Sequence, residues 1–470
     1  MTRASALQSM GPPLVRSGLG PPLVACAVLA ASALAGWNVA RGSLLLWAPV
    51  LLTLLALYIS MRPEVLVVCW LFAAPFVQES ARETTIGLAL TTILYVLPLG
   101  VFLLHMSRSN VLAQHVRWYD LLPLGYVALI IGSEGVIDAS ELRSPSFYVA
   151  LLHGATLVGV SMYYFCAFGP IRRLSPRNVA LALLLSSSIV GALGIVEHFT
   201  HWNLWGQDLV DQPPRIIVTL SSPATLGAFL GAGIVVATAA LVWDGPRLLR
   251  RLSVVTLALT LPALFFTYTR AAMIATVAVA SVLIAMRPGT RVIGAVVAVL
   301  AALVVCASWG EITSTSLYQQ RASDTGNVSG RFVQSQGALD LAAQRPFLGW
   351  GYGQYDEAKS TLQRSTGALP EASLYYYTSH DTFLTILVEL GVAGLVVFLL
   401  PWIIVMYRTL RRLRSTRYPR WFTLSLLGIV GVFVLIALTS DMRFFSFVPA
   451  LAWIAVGLLR RNLWDETSLA

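Results

Sequence analysis

The chain has 470 residues, of which 57% are hydrophobic and 11% charged, and its formal net charge is +10. Soluble domains carry about 25% charged residues, so this composition excludes a soluble fold. Most of the positive charge lies on arginines in short clusters between apolar stretches, which indicates membrane topology and not nucleic-acid binding.

The apolar stretches recur along the whole chain and predict an all-α polytopic membrane protein. A transmembrane helix needs about 20 mostly apolar residues. We predict about fourteen such helices, within a range of about twelve to fourteen, because the third stretch is short and only a turn at Thr269-Arg270 separates the ninth from the tenth. The predicted spans are 21–38, 43–60, 64–78, 86–106, 119–135, 147–168, 178–197, 222–243, 251–268, 271–287, 291–308, 382–406, 421–438 and 443–459.

The arginine clusters predict the orientation of these helices. Placing the N-terminus inside puts most of the 32 Lys and Arg residues on the cytoplasmic side, and both termini are then cytoplasmic. The same alternation favours a retained first helix over a cleaved signal peptide in residues 1–36.

The predicted organisation has three parts. Residues 1–308 hold helices 1–11 with a short periplasmic loop at 198–221, which is rich in aromatic and ionisable residues. Residues 309–381 form a large, partly helical periplasmic loop, and residues 382–470 hold helices 12–14 and a cytoplasmic tail. Polar loops of this length usually carry function.

His380 lies where the large loop re-enters the membrane. A histidine there is suited to act as a general base near neutral pH, or it caps or packs at the interface. The eleven-residue separation of His380 from Gly391 is close to three helical turns, so we expect both on one helix face. Gly391 and Gly394 would let another helix approach closely. We expect Asp381 to cap this helix or orient the histidine, and Glu389 to make a buried polar contact to another helix.

A second polar segment precedes His380. Arg331 lies in a short predicted helix that ends near Arg345-Pro346, and a glycine-rich run, 349–353, follows it. Such a run either exposes backbone N–H groups to an anion or forms a turn that folds the loop back, and the turn is favoured. No strand precedes the run, so it is not a dinucleotide-binding motif.

Two further arginines lie at predicted membrane boundaries. Arg215 follows two prolines, and Arg270 lies between two apolar stretches. Arginines at such positions bind anionic ligands or anchor the chain among lipid head groups. Arg215, Arg270 and Arg331, together with a histidine on the same side, suit a substrate that has a pyrophosphate and a hydroxyl to be deprotonated.

Four segments resemble motifs of the O-antigen ligase family, which includes the repeat-unit polymerases of O-antigen and exopolysaccharide synthesis. They are His380 with Gly391 and Gly394; Gly330-Arg331 with Arg345-Pro346 and the run 347–353; Arg215 with Ser222-Pro223; and Thr267-Tyr268-Thr269-Arg270-Ala271. Asp381, Thr269 and Ala271 depart from the family pattern, which has Asn, Ser and Gly there.

This resemblance implies a glycosyltransferase in the bacterial cell inner membrane, with its active site on the periplasmic face. The donor would be a glycan on undecaprenyl pyrophosphate, and the acceptor a sugar hydroxyl of a lipid-linked repeat unit (polymerase) or of lipid A–core (ligase). His380 would activate that hydroxyl, and Arg215, Arg331 and, more weakly, Arg270 would bind the pyrophosphate. No cofactor and no metal are implied, and membrane lipids are the other partner.

The polymerase is slightly favoured over the ligase, because the glycine-rich loop and the segment around Glu389 look more like those of polymerases. A polysaccharide or lipid transporter is the alternative of another class. The chain lacks the internal repeat common in transporters, and its polar features concentrate in the predicted outer loops.

Overall fold

The computed structural model describes residues 63–77, 116–134, 147–169, 171, 174–202, 215–220, 222–290, 326–366, 379–444 and 447–463. The regular elements in these ranges are all helices, which confirms the predicted all-α class. The predicted spans 21–38, 43–60, 86–106 and 291–308, and parts of both predicted outer loops, lie outside the described residues.

The described helices are α1 Pro63–Ala73, α2 Leu122–Glu134, α3 Phe147–Phe168, α4 Pro176–Thr200, α5 Pro223–Val242, α6 Arg247–Phe266, α7 Arg270–Ala285, α8 Gly326–Gln344, α9 Tyr355–Thr366, α10 Thr382–Arg411, α11 Arg420–Ala437 and α12 Phe447–Asn462. Short 3-10 turns occur at Ala74–Phe76, Trp118–Leu121, Pro288–Thr290 and Met442–Phe444.

Each predicted span that falls on described residues corresponds to a helix. The predicted turn at Thr269-Arg270 is also confirmed, since α6 ends at Phe266 and α7 begins at Arg270. Five described helices are long and apolar enough to cross a membrane: α4, α5, α6, α10 and α11. The predicted total of about fourteen spans therefore stays a prediction.

Helix α5 lies at the centre of the bundle. Its sequence carries no charge and is rich in small residues, so neighbouring helices pack directly on its backbone. A Cβ on Gly231 would lie 2.3 Å from Thr276 of α7, and one on Gly233 would lie 2.5 Å from Ser187 of α4. These close approaches explain why α5 is buried almost along its whole length.

The contacts among α5, α7 and α11 fix which helix ends lie together. A Cβ on Gly227, near the start of α5, would meet Ala272, near the start of α7, at 2.6 Å. Helix α11 runs antiparallel to α5, because Gly231 meets Val432 whereas the later Val235 meets the earlier Gly428, and Gly431 also meets Val279 of α7. The starts of α5 and α7 and the end of α11 therefore lie at one end of the bundle, which we call the site end.

The opposite end of the bundle holds two buried arginines of α12. Arg460 donates from Nε and Nη2 to the two carboxylate oxygens of Asp120, each at 2.8 Å. Arg461 donates to the carbonyl of Gly169, just beyond the end of α3, at 2.8 Å. As members of the arginine clusters, both were expected only to signal orientation, whereas they also join α12 to the turn before α2 and to the end of α3 by charge-assisted hydrogen bonds.

Candidate functional site

His380 occupies a strained backbone position just before α10. Its φ is +55°, in the left-handed region that few non-glycine residues adopt, and its side chain is half-buried. The next residue, Asp381, accepts hydrogen bonds from the backbone N–H groups of Phe383 (2.7 Å) and Leu384 (2.9 Å). The predicted capping role of Asp381 is confirmed, and this cap fixes where the helix begins relative to His380.

The expectation that His380 and Gly391 share one helix face is wrong. Helix α10 begins at Thr382, so His380 precedes it. The helix is also kinked at Gly391, where φ is 65° and ψ is −167°. Helical periodicity cannot relate two positions when one lies outside the helix and the other interrupts it.

The kink in α10 is filled by the segment that follows α8. Val392 and Ala393 donate their backbone N–H groups to the carbonyls of Pro346 (2.8 Å) and Phe347 (3.2 Å). In the other direction, Trp350 donates to the carbonyl of Val388 at 3.0 Å. The loop thus supplies hydrogen bonds that the helix loses at its break.

Glycine is required on both sides of this contact. A Cβ on Gly391 would lie 2.3 Å from the carbonyl oxygen of Phe347, and a Cβ on Gly349 would lie 2.3 Å from that of Glu389. The predicted close approach at Gly391 is correct, but a loop makes it and not a second helix. At Gly394 a Cβ would meet the Leu390 side chain of the same helix at 2.1 Å, so this glycine makes room across the kink.

The glycine-rich run forms a turn, as the sequence favoured. The backbone N–H of Gly349 donates to Arg345 and that of Gly351 donates to Glu389, at 3.1 and 2.8 Å. Tyr352 donates its N–H to the Ser133 hydroxyl at 3.1 Å, and the Gly353 N–H bonds the Glu389 carboxylate. These N–H groups are committed within the fold, so the anion-binding reading of the run is wrong.

Arg331 lies beside His380 at the site end. It is exposed on α8, and its Nη1 donates to the carbonyl of Thr439 at 3.3 Å, just beyond the end of α11. Burial and the positive charge of Arg331 lower the pKa of His380, against an opposing effect of the Asp441 carboxylate. The lowered pKa favours the neutral imidazole, which is the form that accepts a proton.

Arg215 is joined to the segment that precedes Arg270. Its Nε donates to the carbonyl of Thr267 at 2.9 Å, and its Nη2 donates to the Thr269 hydroxyl at 2.8 Å. Two motifs far apart in the sequence therefore meet in space. Thr269 provides the hydroxyl that the family's serine would provide, so this departure keeps the chemistry.

Arg270 is the first residue of α7, and its side chain is exposed. A cation at a helix N-terminus faces the positive end of the helix dipole, which does not stabilise it. Within the described part of the chain, no contact orients Arg270 in the way that two hydrogen bonds orient Arg215, and its side chain is exposed.

The four predicted residues, His380, Arg215, Arg270 and Arg331, share the site end. From the contact between Gly431 and Val279, Arg270 is nine residues away along α7 and Thr439 is eight residues away along the chain of α11. At about 1.5 Å per helical residue both lie about 12–14 Å from that contact. Arg270 follows Thr269, which binds Arg215, and Thr439 binds Arg331. Arg270 and Thr439 therefore lie at about the same height along the bundle.

Glu197 is a site-end residue that the sequence analysis missed. It is buried in α4, and its carboxylate accepts the backbone N–H groups of Ile217 (3.1 Å) and Val218 (2.7 Å). These bonds hold the segment that begins at Arg215, in which Val218 has a φ of 55°. The signal for this role was the single acid of α4, which lies near the end of a mostly apolar helix.

A buried ionic cluster lies behind His380. Arg443 donates to the carboxylate of Glu389, confirming the expected buried polar contact, and to that of Asp441 at 2.8 Å. All three side chains are at most 5% exposed. Neither Asp441 nor Arg443 carried a local signal: Asp441 lies between the predicted spans 421–438 and 443–459, and Arg443 is the first residue of the second span. Among the described residues, no group of three or more His, Cys, Asp and Glu is arranged to hold a metal ion.

Residues 255–399 match the family model described as O-antigen ligase. This part of the chain is similar to the O-antigen ligases. The resemblance inferred from the motifs is confirmed, and no curated protein gives a significant match to the chain. The O-antigen ligase match covers under a third of the chain; it includes His380, Arg331 and Arg270, and Arg215 lies before it.

The match and the apolar helices together characterise the protein in general terms. They mark it as a membrane protein with a function of the O-antigen ligase or polymerase type. They also imply a glycosyltransferase-like enzyme and lipid-linked glycans as the general class of substrate.

Proposed function

We propose that this protein is a glycosyltransferase of the bacterial inner membrane that transfers a glycan from undecaprenyl pyrophosphate to an acceptor sugar hydroxyl at the periplasmic face. The observation that carries the proposal is the place of half-buried His380 near the guanidinium of Arg331, at one end of the bundle and within the stretch similar to O-antigen ligases. A base beside a fixed positive charge suits a reaction that deprotonates a hydroxyl while a phosphate leaves.

In the proposed reaction, His380 takes the proton from the acceptor hydroxyl. The acceptor oxygen forms a bond to the anomeric carbon of the donor sugar, and the bond from that carbon to the pyrophosphate oxygen breaks. The electron pair leaves with undecaprenyl pyrophosphate, so the reaction needs neither a nucleotide nor a redox partner. The imidazolium then returns its proton to solvent.

The arginines are proposed to stabilise the pyrophosphate as its negative charge grows. Arg331 is supported by its place beside His380, and Arg215 by the two hydrogen bonds that orient its guanidinium. Arg270 is the weaker candidate, because it is exposed and its guanidinium lacks an orienting contact of that kind among the described residues.

A repeat-unit polymerase remains slightly favoured, with an O-antigen ligase as the alternative and a transporter as the alternative of another class. The deciding assay uses the purified protein with an undecaprenyl-pyrophosphate repeat unit, with and without lipid A–core. A glycan ladder from the lipid-linked unit alone identifies a polymerase. Product that requires lipid A–core identifies a ligase, and movement of intact lipid-linked glycan across a vesicle membrane without any new bond supports a transporter.

The test of the base compares His380→Asn with His201→Asn. Both histidines lie next to helix ends with φ near +55°, at 55° and 56°, and asparagine tolerates this conformation. The replacement therefore removes the imidazole without adding backbone strain. We expect His380→Asn to lower kcat by about 100-fold or more and His201→Asn to keep wild-type activity. Equal activity of the two variants would remove His380 from the mechanism.

A further inference from the structure

Residues 439–443, which link α11 to α12, contact both elements that carry the proposed site. The carbonyl of Thr439 accepts from Arg331 of α8. The carbonyl of Ser440 accepts from the Thr382 hydroxyl at 2.9 Å, and the same hydroxyl accepts from the N–H of Met442 at 2.9 Å. This linking segment therefore fixes the start of α10, two residues after His380, relative to Arg331.

Asp441 is the buried anion of the linking segment. Its carboxylate accepts from Nε and Nη2 of Arg443 at 3.0 and 2.8 Å, and also from the Arg443 backbone N–H at 3.1 Å. Arg443 is shared with Glu389, so one guanidinium serves two buried carboxylates. When both acids are ionised, the two carboxylates outnumber the one guanidinium, and the cluster has a net negative charge.

We propose that Asp441 is a positioning residue for His380, held in place by Arg443, and that its negative charge opposes the effect of the positive charge of Arg331 on the imidazole. The inference rests on the proposed function, because it takes His380 to be the base. It adds Asp441 to Arg331 as a second charged residue that acts on His380, and Asp441 lies outside the O-antigen ligase match.

The balance matters because a general base must be neutral before the reaction and still hold a proton afterwards. Burial and Arg331 lower the pKa of His380, whereas Asp441 raises it. Among the described residues, the other charged groups around this site are Asp381, which caps α10, and the Glu389–Arg443 pair behind Asp441. Without the negative charge of Asp441, less would offset the repulsion between Arg331 and the imidazolium that forms on proton transfer.

The experiment measures the protonation of His380 without any glycan. Diethyl pyrocarbonate modifies neutral imidazole, so the rate of modification at each histidine, followed by mass spectrometry across a pH series, gives its titration midpoint. We expect the His380 midpoint to fall by on the order of half a pH unit in Asp441→Asn and to rise in Arg331→Gln. His201 in the same sample is the internal control, and its midpoint should stay constant.

Each outcome decides between a charge effect and a purely structural role. Opposite shifts at His380, with His201 unchanged, support the proposal. An unmoved His380 midpoint in folded Asp441→Asn overturns it. If Asp441→Asn does not fold, the His380 midpoint must fall in the same way in Asp441→Ser. An unmoved His380 midpoint in Arg331→Gln also overturns the proposal. Because the labelling needs no substrate, absence of transferase activity in the wild-type protein would refute the proposed function separately.

Discussion

The guanidinium of Arg215 donates to the hydroxyl of Thr269 at 2.8 Å and joins two motifs that lie on different sides of helices α5 and α6 in the sequence. Arg215 is proposed to bind the donor pyrophosphate, and the Thr269 hydroxyl orients its guanidinium. The pair therefore gives a way to test the arginine without removing it.

Replacing Thr269 separates the hydroxyl from the shape of the side chain. Thr269→Val keeps the shape but removes a hydrogen bond to a charged group, worth about 1.5–3 kcal/mol, so we expect KM for the lipid-linked donor to rise roughly tenfold or more. Thr269→Ser keeps the hydroxyl and should behave as wild type. Steady-state kinetics with varied donor provide the measurement, and a wild-type KM for Thr269→Val would refute the role of this contact.

The pH dependence of transfer follows from the environment of His380. Burial and Arg331 lower the pKa of its imidazole, so the neutral, active form is favoured in the folded protein. We expect activity to be retained at neutral pH and lost only as the pH falls through a value below the ordinary histidine pKa of about 6.5. A profile of kcat/KM against pH gives the midpoint.

The control for this profile returns samples from each pH to neutral pH before assay, which separates protonation from unfolding. A loss of activity with a midpoint well above the ordinary histidine value would contradict the assignment of a depressed pKa.

Gly349 and Gly391 are expected to tolerate no side chain. Both have positive φ, at 70° and 65°, and in both a Cβ would lie 2.3 Å from backbone atoms of the opposing segment. We expect Gly391→Ala and Gly349→Ala each to lower the free energy of unfolding by more than about 2 kcal/mol. Thermal unfolding in detergent measures the effect.

Gly132 provides the matched control for these two glycines. It lies in helix α2 with nothing within 4 Å of a built Cβ. Gly132→Ala should therefore leave the melting temperature unchanged or slightly higher, because alanine is the better helix former. If Gly391→Ala had the same melting temperature as Gly132→Ala, the loop would not dock into the kink of α10.

Glu197 should be required for the stability of the segment that carries Arg215. Glu197→Gln places an amide N–H₂ against one of two backbone N–H groups that the carboxylate accepts, so we expect a loss of about 1–3 kcal/mol and a higher KM for the donor. The matched control is Glu357→Gln, since among the described residues Glu357 makes exposed side-chain contacts alone, to Arg364 and Thr361. Equal melting temperatures for the two variants would contradict the role given to Glu197.

Some features of the site were predictable because they are local. Asp381 was expected to cap α10 from its place before an apolar run, and it does so. The end of α8 near Arg345 was likewise read from a following proline. The sequence also predicted a turn at the glycine-rich run. It did not predict that the run packs against the kink of α10, because local sequence does not determine which distant segment approaches a glycine.

The amino-acid sequence by itself determined the helical class, the positions of the apolar helices and the residues with suitable chemistry, because hydrophobic length, caps and motifs are properties of neighbouring residues. Only the tertiary structure decided that α10 is kinked at Gly391, that Arg215 meets Thr269 and that Arg443 bridges Glu389 and Asp441. These relationships depend on how distant helices pack against one another. A buried charge or a glycine at a close contact takes its role from the partner that packing brings to it.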